Sequence, residues 1–463
     1  MKLQKFFYSV LFLSILLNGL DAFSVFSIPL PWIANLLIVS LFGVFILHRK
    51  RILLKKSKSF IFFSIYLITI SIFFYFYNFN SIVTNATTNI DLYILLRIIN
   101  VLVFTGVLIL IINSPVNKNQ MIDLVVYSSL IISILTLVSY FSYIFEYSDF
   151  YRNRLGTGIG FQSIVKACTI LRNYGTFREP SFLAVWISPT IPFYILKGKT
   201  NKMWNIFIFI PLLSLILTRS LTGVLSLIIS ILILILFSVI QKKRFEKKYI
   251  LLFLLILITL FISNSLSYKF PPLDPNQCPP YSPDYCSCEY YDDEQDRAKN
   301  SVDIFSSLFV RAESIIKSGI DSFESLNIGL NYIKNNKIEF FGKGLGVANL
   351  ELSDQYIKSK TQSDLTFYIR NGVIIERYSN NIVSFNNLYI NILISSGIFG
   401  ILWFVLNIVL LFKHLILNIN ETNETIALSI LVMLIMYFFQ AEELSLWFAY
   451  LVGLTYSKEI YEE

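Results

Sequence analysis

The chain has 463 residues, of which 55% are hydrophobic and only 15% charged, with 42 Phe and 27 Tyr. Its mean hydropathy is +0.64. One soluble core of this size does not need so much apolar surface, so the composition excludes an ordinary soluble protein and predicts that the bilayer is the solvent. The net charge of +8 comes from basic residues spread over short loops between apolar stretches. Because they are not gathered on one face, we expect no nucleic-acid partner.

The first apolar stretch, residues 6–17, follows Lys2 and Lys5 as the hydrophobic region of a signal peptide would. It ends in Asn-Gly-Leu-Asp, without the small-x-small pattern that signal peptidase cleaves. We therefore interpret it as a retained first span, with cleavage as the alternative.

Apolar runs continue along the chain at lengths close to the ~20 residues that one helix needs to cross ~30 Å of hydrocarbon. Hydropathy predicts about twelve spans. They lie near residues 5–20, 31–47, 59–78, 91–112, 121–145, 181–196, 203–218, 221–240, 249–266, 387–412, 425–440 and 443–457. The expected fold class is an all-α polytopic membrane protein with a large outer loop that contains short amphipathic helices.

Three basic clusters indicate the orientation of these spans. Residues 48–58, 197–202 and 242–248 are rich in Lys and Arg. In the predicted topology all three clusters lie on the same side of the membrane as the N-terminus. Connections on the other side, such as residues 77–90, lack Lys and Arg. Because cytoplasmic loops carry the excess of Lys and Arg, we expect both termini to be cytoplasmic.

The predicted spans divide the chain into three parts. Residues 1–266 hold nine spans with an outer loop at about 146–180, residues 267–386 form a large outer loop, and residues 387–463 hold three spans and a cytoplasmic tail. The large loop begins with an irregular segment rich in Pro, Tyr and acidic residues at 271–294. From Ser301 to Lys334 apolar residues recur at helical spacing, which predicts helices at the membrane surface.

All the cysteines fall in the predicted outer loops, as Cys168, Cys278, Cys286 and Cys288. This distribution favours an oxidising compartment. Four cysteines allow three pairings, and we favour a bridge from Cys278 to Cys286 or Cys288 because it would pin the irregular segment. Zinc is the alternative, but the two histidines lie near the cytoplasmic face. No ligand set forms beyond the thiols, so we expect no metal.

Charged residues within or beside spans are costly in lipid, which makes each of them a functional-site candidate. Arg97 lies about two turns into the fourth predicted span. The alternative for Arg97 is that it snorkels to the outer interface or pairs with a helix end. Arg219 lies in the short outer turn of residues 217–223, and we expect it on the same side of the membrane as Arg97.

The segment Ile170–Ala184 has the richest chemistry, because it lies outside the membrane and runs into a span. Glu179 before Pro180 is also an ordinary helix start. That interpretation leaves Arg172 and Arg178 unexplained, whereas a cationic cluster at a membrane surface is what binding a pyrophosphate or lipid headgroup requires. A carboxylate among such cations would be ionised and able to accept a proton from a sugar hydroxyl.

These residues resemble a known family, the bacterial O-antigen and capsule polymerase and ligase superfamily of multispanning membrane glycosyltransferases. Polymerases of that group often carry R-x-x-G-x-F-x-E-P-S-x-x-A before a span. This chain has that pattern in register as Arg172, Gly175, Phe177, Glu179, Pro180, Ser181 and Ala184. The similarity covers roughly residues 90–455.

Two further motifs contribute to the resemblance. Gly342, Gly344 and Gly346 are similar to the family's G-x-G-x-G at the end of the large outer loop. Asn387-Leu388-Tyr389 with Gly397 and Gly400 is similar to its entry to the next span. A plain turn explains each single glycine about as well.

The chain also departs from the family pattern. Asn386 stands where many relatives have the histidine proposed as catalytic in ligases, which lowers the ligase hypothesis and leaves Glu179 as the better candidate base. Arg219 precedes Ser220, whereas relatives place the arginine after the serine. Arg311 is the candidate for a family arginine in the large loop, although its spacing to Gly342 is long.

The resemblance implies polymerisation of undecaprenyl-pyrophosphate-linked oligosaccharide repeat units into O-antigen or capsular polysaccharide, at the outer face of the bacterial inner membrane. It implies catalytic roles for Glu179, Arg178 and Arg172 and pyrophosphate binding by Arg97, Arg219 and Arg311, without a cofactor. Glu442 and Glu443, in the last outer turn, are a second choice of base. The implied partners are the lipid-linked oligosaccharide and membrane lipid, with a chain-length regulator and a flippase as candidates.

Two other functions stay open at this point. The first is a ligase that transfers the glycan to lipid A core or to protein. The second, from a different class, is a lipid-linked sugar flippase or a solute transporter. Against transport, the sequence has no pair of matched interrupted helices and little polar character at mid-membrane.

Overall fold

The computed structural model describes residues 2–48, 57–78, 90–145, 147, 150, 152–154, 171–240, 247–266, 329–335, 340–350, 366–370, 373–377, 387–418, 420–439 and 443–457. Several predicted features lie outside these residues. They are the four cysteines, Arg311, Asn386, Glu442, the irregular segment at 271–294 and most of the amphipathic stretch at 301–334. Of that stretch, residues 329–334 are described and are helical.

The described part of the chain is mainly helical, and every predicted span coincides with one helix or with two consecutive ones. The helices are α1 Lys2–Asn18, α2 Leu30–His48, α3 Lys58–Asn78, α4 Ile90–Asn113, α5 Lys118–Ile144, α6 Pro180–Ile187, α7 Ile191–Thr200, α8 Trp204–Phe207, α9 Phe209–Leu217, α10 Leu221–Ile240, α11 Lys247–Ser265, α12 Leu388–Leu417, α13 Glu421–Met436 and α14 Leu446–Tyr456. Within the described residues, four helices are long and apolar enough to cross a membrane, namely α3, α4, α5 and α12. The prediction of a helical fold with membrane-compatible helices is confirmed to that extent.

Two of the predicted spans are built from shorter pieces, and proline explains both interruptions. Between α6 and α7 the chain forms a 3₁₀ turn, Ser188–Thr190, around Pro189. Between α8 and α9 the helix is interrupted at Ile208, three residues before Pro211. Because proline has no N–H and its ring clashes with the preceding turn, the regular helical bonding cannot continue through these positions.

The helices pack into one bundle with a continuous apolar core. Helix α13 lies at its centre and contacts α7, α10, α12 and α14, while α14 packs on α4 and α12 packs on α3. Large apolar side chains also cover the outside, such as Phe73, Phe261 and Leu402, each at least 60% exposed. Exposed apolar side chains along whole helices are suited to hydrocarbon rather than to water.

A short hairpin joins α1 to α2. Its strands, β1 Ser24–Val25 and β2 Ile28–Pro29, are antiparallel with Val25 opposite Ile28. The two residues of the tight turn, Phe26 and Ser27, have φ of 50° and 65°. Left-handed backbone costs a residue with a Cβ about 1–2 kcal/mol, and two-residue hairpin turns of this kind therefore favour Asn-Gly.

Replacing Phe26-Ser27 with Asn-Gly should stabilise the protein by about 1 kcal/mol, because the replacement relieves left-handed strain at both positions. The measurement is the thermal unfolding midpoint of the detergent-purified protein, with Val25→Asn as a control that leaves the turn as it is. An unchanged or lower midpoint for the Asn-Gly variant would contradict this account of the turn.

A second hairpin lies in the large loop and was not predicted. Strands β3 Thr366–Arg370 and β4 Val373–Arg377 are antiparallel, with Arg370 opposite Val373. The signal is present in the sequence, because Asn371-Gly372 separates two runs rich in β-branched and aromatic residues. The prediction of short amphipathic helices and an irregular segment in this loop did not include the hairpin.

Helix α12 is interrupted at Gly397, whose φ of 70° and ψ of −170° are not helical. The interruption leaves backbone groups of α12 without helical hydrogen bonds. Residues 340–346, here called the glycine segment, form hydrogen bonds with several of these groups. Lys343 N and Gly344 N donate to the carbonyls of Ile394 and Ser395 at 2.9 and 2.8 Å, and Phe399 N donates to Phe340 O at 3.2 Å. The hydroxyl of Tyr66 on α3 donates to Ser396 O at 2.8 Å. Irregular backbone within an apolar bundle requires this kind of compensation.

The described ion pairs separate into two groups at opposite ends of the helices. Arginines pair at one end, as Arg97–Glu443, Arg154–Asp21 and Arg178–Asp21. Lysines pair at the other end, as Lys197–Asp123 and Lys199–Glu421. We call these the arginine end and the lysine end.

Candidate functional site

The segment 171–179 is held at the arginine end by backbone contacts with two different elements. Asn173 N donates to Leu217 O at 2.8 Å, next to the turn between α9 and α10. Ala22 N donates to Thr176 O at 2.9 Å, just after α1, and Thr176 Oγ1 donates to Gly19 O at 2.8 Å. These contacts fix the arginine-bearing segment to the bundle before α6 begins.

Arg152 links the same segment to α5. Its Nε donates to Gly175 O and its Nη2 to Ser139 Oγ on α5, both at 2.7 Å. Its guanidinium also lies over the Tyr174 ring, 4.5 Å from the ring centroid. The residue is only 7% exposed, so we assign it to positioning the segment. No pattern in the sequence pointed to Arg152.

Arg172 joins the segment to the turn that contains Arg219. The Nε of Arg172 donates to Thr218 O at 2.9 Å. Arg219 is the next residue, 6% exposed, with a φ of 51°. The structure therefore brings the Arg172 guanidinium to the backbone of that turn. Arg172 also lines a shallow pocket with Ser139, Tyr140, Tyr143 and Tyr174.

Arg178 contacts a carboxylate that the sequence analysis missed. Its Nε donates to Asp21 Oδ2 at 2.9 Å, and its guanidinium lies 5.4 Å from the centroid of the Phe182 ring. The other oxygen of Asp21 pairs with Arg154, whose Nη1 also donates to Asp21 O at 2.9 Å. One carboxylate thus bridges two guanidinium groups.

Burial lowers the pKa of Arg154, and the nearby Arg178 lowers it further, whereas Asp21 opposes this effect. The Asp21 carboxylate therefore offsets the repulsion between the charged guanidinium groups of Arg154 and Arg178. Asp21 and Arg154 had one available signal, namely that each is a charged residue in a connection next to an apolar span.

Glu179 is the residue before α6, with φ −140° and ψ 148°, and Pro180 occupies the first helical position. The alternative of an ordinary helix start is therefore correct for the backbone. Its side chain is exposed and accepts a hydrogen bond from Ser181 Oγ at 3.3 Å. In the part of the chain that the structure describes, Asp21 and not Glu179 is the carboxylate that pairs with Arg178. Glu179 remains accessible to a ligand at the arginine end.

Arg97 belongs to a second cluster, between α4 and the start of α14. Its Nη1 lies 2.5 Å from Glu443 Oε1, and its Nη2 donates to the Tyr93 hydroxyl at 2.6 Å. Asn100 donates to the other oxygen of Glu443. The alternative that Arg97 pairs at a helix end is thus the one the structure supports. It also gives Glu443, the second-choice base, a defined cationic partner.

Three aromatic rings connect the two clusters. Phe177 lies 6.0 Å from Trp186, and Trp186 lies 5.2 Å from Trp447, measured between ring centroids. Phe177 precedes Arg178, and Trp447, in the first turn of α14, lies four residues after Glu443. The Asp21 cluster and the Arg97 cluster therefore flank one aromatic row at the same end of the bundle.

The family-like glycine and asparagine motifs have structural roles. A Cβ on Gly346 would lie 2.8 Å from the Tyr93 ring, so the glycine segment packs against the Arg97 cluster. Asn387 caps α12, because its side chain accepts from Ile390 N at 3.0 Å and donates to Phe438 O at 2.8 Å.

No group of three or more His, Cys, Asp or Glu side chains with the geometry of a metal site occurs among the described residues. The described side chains of the arginine end offer guanidinium groups, carboxylates and hydroxyls.

No protein-family model matches this chain, and no curated protein matches it.

Proposed function

We propose that the protein polymerises undecaprenyl-pyrophosphate-linked oligosaccharide repeat units into O-antigen or capsular polysaccharide. The observation that carries the proposal is the concentration of described arginines at one end of an apolar helical bundle, the end at which Glu179 is an exposed carboxylate. The arginines of that end are Arg97, Arg152, Arg154, Arg172, Arg178 and Arg219. Guanidinium groups at a membrane surface match the charge and geometry of a pyrophosphate.

The proposal includes about twelve membrane spans, with both termini cytoplasmic in the bacterial inner membrane. Support comes from the segregation of charge, because each described ion pair joins residues of one end only. Asp21 follows α1, Glu443 precedes α14, and Arg178 precedes α6, as alternating spans require. The lysine end, which continues into the basic clusters of the sequence, is the cytoplasmic one.

In the proposed reaction, a hydroxyl oxygen of the acceptor unit attacks the anomeric carbon of the donor glycan. The bond from that carbon to the pyrophosphate oxygen breaks, and undecaprenyl pyrophosphate leaves with the electron pair. The hydroxyl proton passes to Glu179. Arg172, Arg178, Arg97, Arg219 and Arg311 are assigned to the negative charge that develops on the leaving group.

Substituting the site residues should abolish the glycan ladder on gels of cells that otherwise lack this protein. We expect Arg172→Ala, Arg178→Ala and Glu179→Ala to leave single repeat units. The Glu179 variant loses general-base help worth about 10²–10⁴ in rate, and the arginine variants lose the positive charge that offsets the leaving group. Lys199→Ala, which removes a cation at the lysine end, is the matched control and should restore the ladder. All variants are compared at equal amounts in the membrane.

The same gels test the other functions. Polymer that accumulates on its lipid carrier without reaching a final acceptor would replace polymerisation with ligation to lipid A core or protein. A ladder that forms without this protein would exclude the polymerase and leave a flippase or transporter. A chain-length regulator and a flippase are the proposed protein partners, and membrane lipid surrounds the bundle.

A further inference from the structure

Asp21 has an arrangement that is unusual for a surface carboxylate. Both of its oxygens face guanidinium groups, Oδ1 that of Arg154 and Oδ2 that of Arg178. The side chains of Asp21 and Arg154 are each 14% exposed, whereas that of Arg178 is 32% exposed. The pair of cations is therefore reachable from outside through Arg178.

Among the described residues, this cluster joins two guanidinium groups and one carboxylate, and these three charges sum to about +1. A pyrophosphoryl group carries more negative charge than a carboxylate and offers more acceptor oxygens in the same fork geometry. A pyrophosphoryl group should therefore bind two adjacent guanidinium groups more strongly than a carboxylate does.

Hydrogen bonds to the main chain would hold Arg154 in position if another anion replaced the Asp21 carboxylate. Arg154 N donates to Ala22 O at 3.2 Å, and its Nη1 donates to the main-chain oxygen of Asp21 as well as to the carboxylate. The neighbouring Asn153 binds Ser24 through Nδ2 and Oδ1, at 2.8 and 2.7 Å. Apart from the one bond of Arg154 Nη1 to the carboxylate, these contacts do not involve the Asp21 side chain, so its displacement would leave the loop attached.

We propose that Asp21 is a built-in counter-anion, which holds Arg154 and Arg178 together and is displaced by the pyrophosphoryl group of a ligand. The inference rests on the proposed function, because it names the residue that competes with the lipid-linked donor. Asp21 thereby lowers the affinity of the site for its leaving group and favours release of the spent carrier.

The test measures binding of inorganic pyrophosphate and of farnesyl pyrophosphate to the full chain in nanodiscs by isothermal titration calorimetry. Asp21→Asn removes the competing charge but keeps the shape, and we expect it to bind both probes about tenfold more tightly, which is about 1.4 kcal/mol. Asp123→Asn, which breaks the Lys197 pair at the lysine end, is the matched control and should bind as the wild type does. Equal gains for both probes assign the effect to the pyrophosphoryl group, and a gain for farnesyl pyrophosphate alone assigns it to a lipid-borne one.

Asp21→Asn that folds and binds neither probe more tightly would overturn the inference. If this variant does not fold, the wild type still decides, because phenylglyoxal modifies exposed arginines and can be followed by mass spectrometry. Pyrophosphate should protect Arg178 from this reagent at least fivefold, and absence of protection would overturn the inference. Failure of the proposed function appears separately, as an unchanged glycan ladder in cells without the protein.

Discussion

Gly342→Ala should lower the free energy of unfolding by about 2–5 kcal/mol. A Cβ at this position would lie 2.5 Å from the main-chain atoms of Ser395, Ser396 and Gly397, which cannot move aside as a flexible side chain does. Gly342 also has a φ of 77°, which a residue with a Cβ adopts only at a cost. The added methyl group causes both the steric clash and the backbone strain, and the expected loss is the sum of these two costs.

The measurement is the thermal midpoint of the detergent-purified protein, followed by loss of the monodisperse peak in size-exclusion chromatography. Gly106→Ala is the matched control, because a Cβ at this α4 position has no atom within 4 Å. We expect the control to be neutral or slightly stabilising, since alanine is the better helix former. Equal midpoints for Gly342→Ala and Gly106→Ala would contradict the close packing of the glycine segment on α12.

Arg97→Leu and Glu443→Leu should each destabilise the protein by about 3 kcal/mol, because each leaves one charge of a buried pair without its partner. We expect the low end of the range for buried pairs, since the side chains are 14% and 30% exposed. The double variant Arg97→Leu/Glu443→Leu should recover most of the loss, because no unpaired charge remains.

A double-mutant cycle on thermal or denaturant unfolding measures this coupling. Arg97→Lys, which keeps the charge but loses the second donor to Tyr93, should lie between the wild type and Arg97→Leu. Additive losses in the double variant would mean that Arg97 and Glu443 act independently. The glycan ladder of the double variant then tells whether Arg97 contributes to catalysis beyond the stability of the pair.

The helices were predictable because their signal is local. A run of apolar residues of the right length predicts a helix, capping residues set its ends, and prolines such as Pro189 and Pro211 mark where it is interrupted. The pairs of the candidate site were not predictable in the same way. Arg178 and Asp21 are 157 residues apart, and Asn100 and Glu443 are 343 apart. No periodicity within one segment carries information about such a partner.

The candidate site was therefore predictable as a set of arginines but not as a set of pairs. Arg172, Arg178 and Arg97 were recognised from their place beside apolar spans. Asp21, Arg152 and Arg154 also lie near apolar spans, but nothing local in the sequence shows which residues they contact. The role of Gly397 also depends on tertiary structure. Its φ of 70° in α12 is sustained by hydrogen bonds from the glycine segment, some 50 residues earlier in the chain.

The interruption of α12 also defines which parts of the protein can be exchanged as one module. Main-chain donors of Lys343 and Gly344 bind carbonyls of α12, and Phe399 N binds the carbonyl of Phe340. A chimera that takes the large loop from another protein but keeps this α12 would leave polar main-chain groups buried in an apolar surrounding, at about 1–3 kcal/mol for each. The exchangeable unit therefore runs from the glycine segment through the end of α12, and a functional loop swap needs both of its ends.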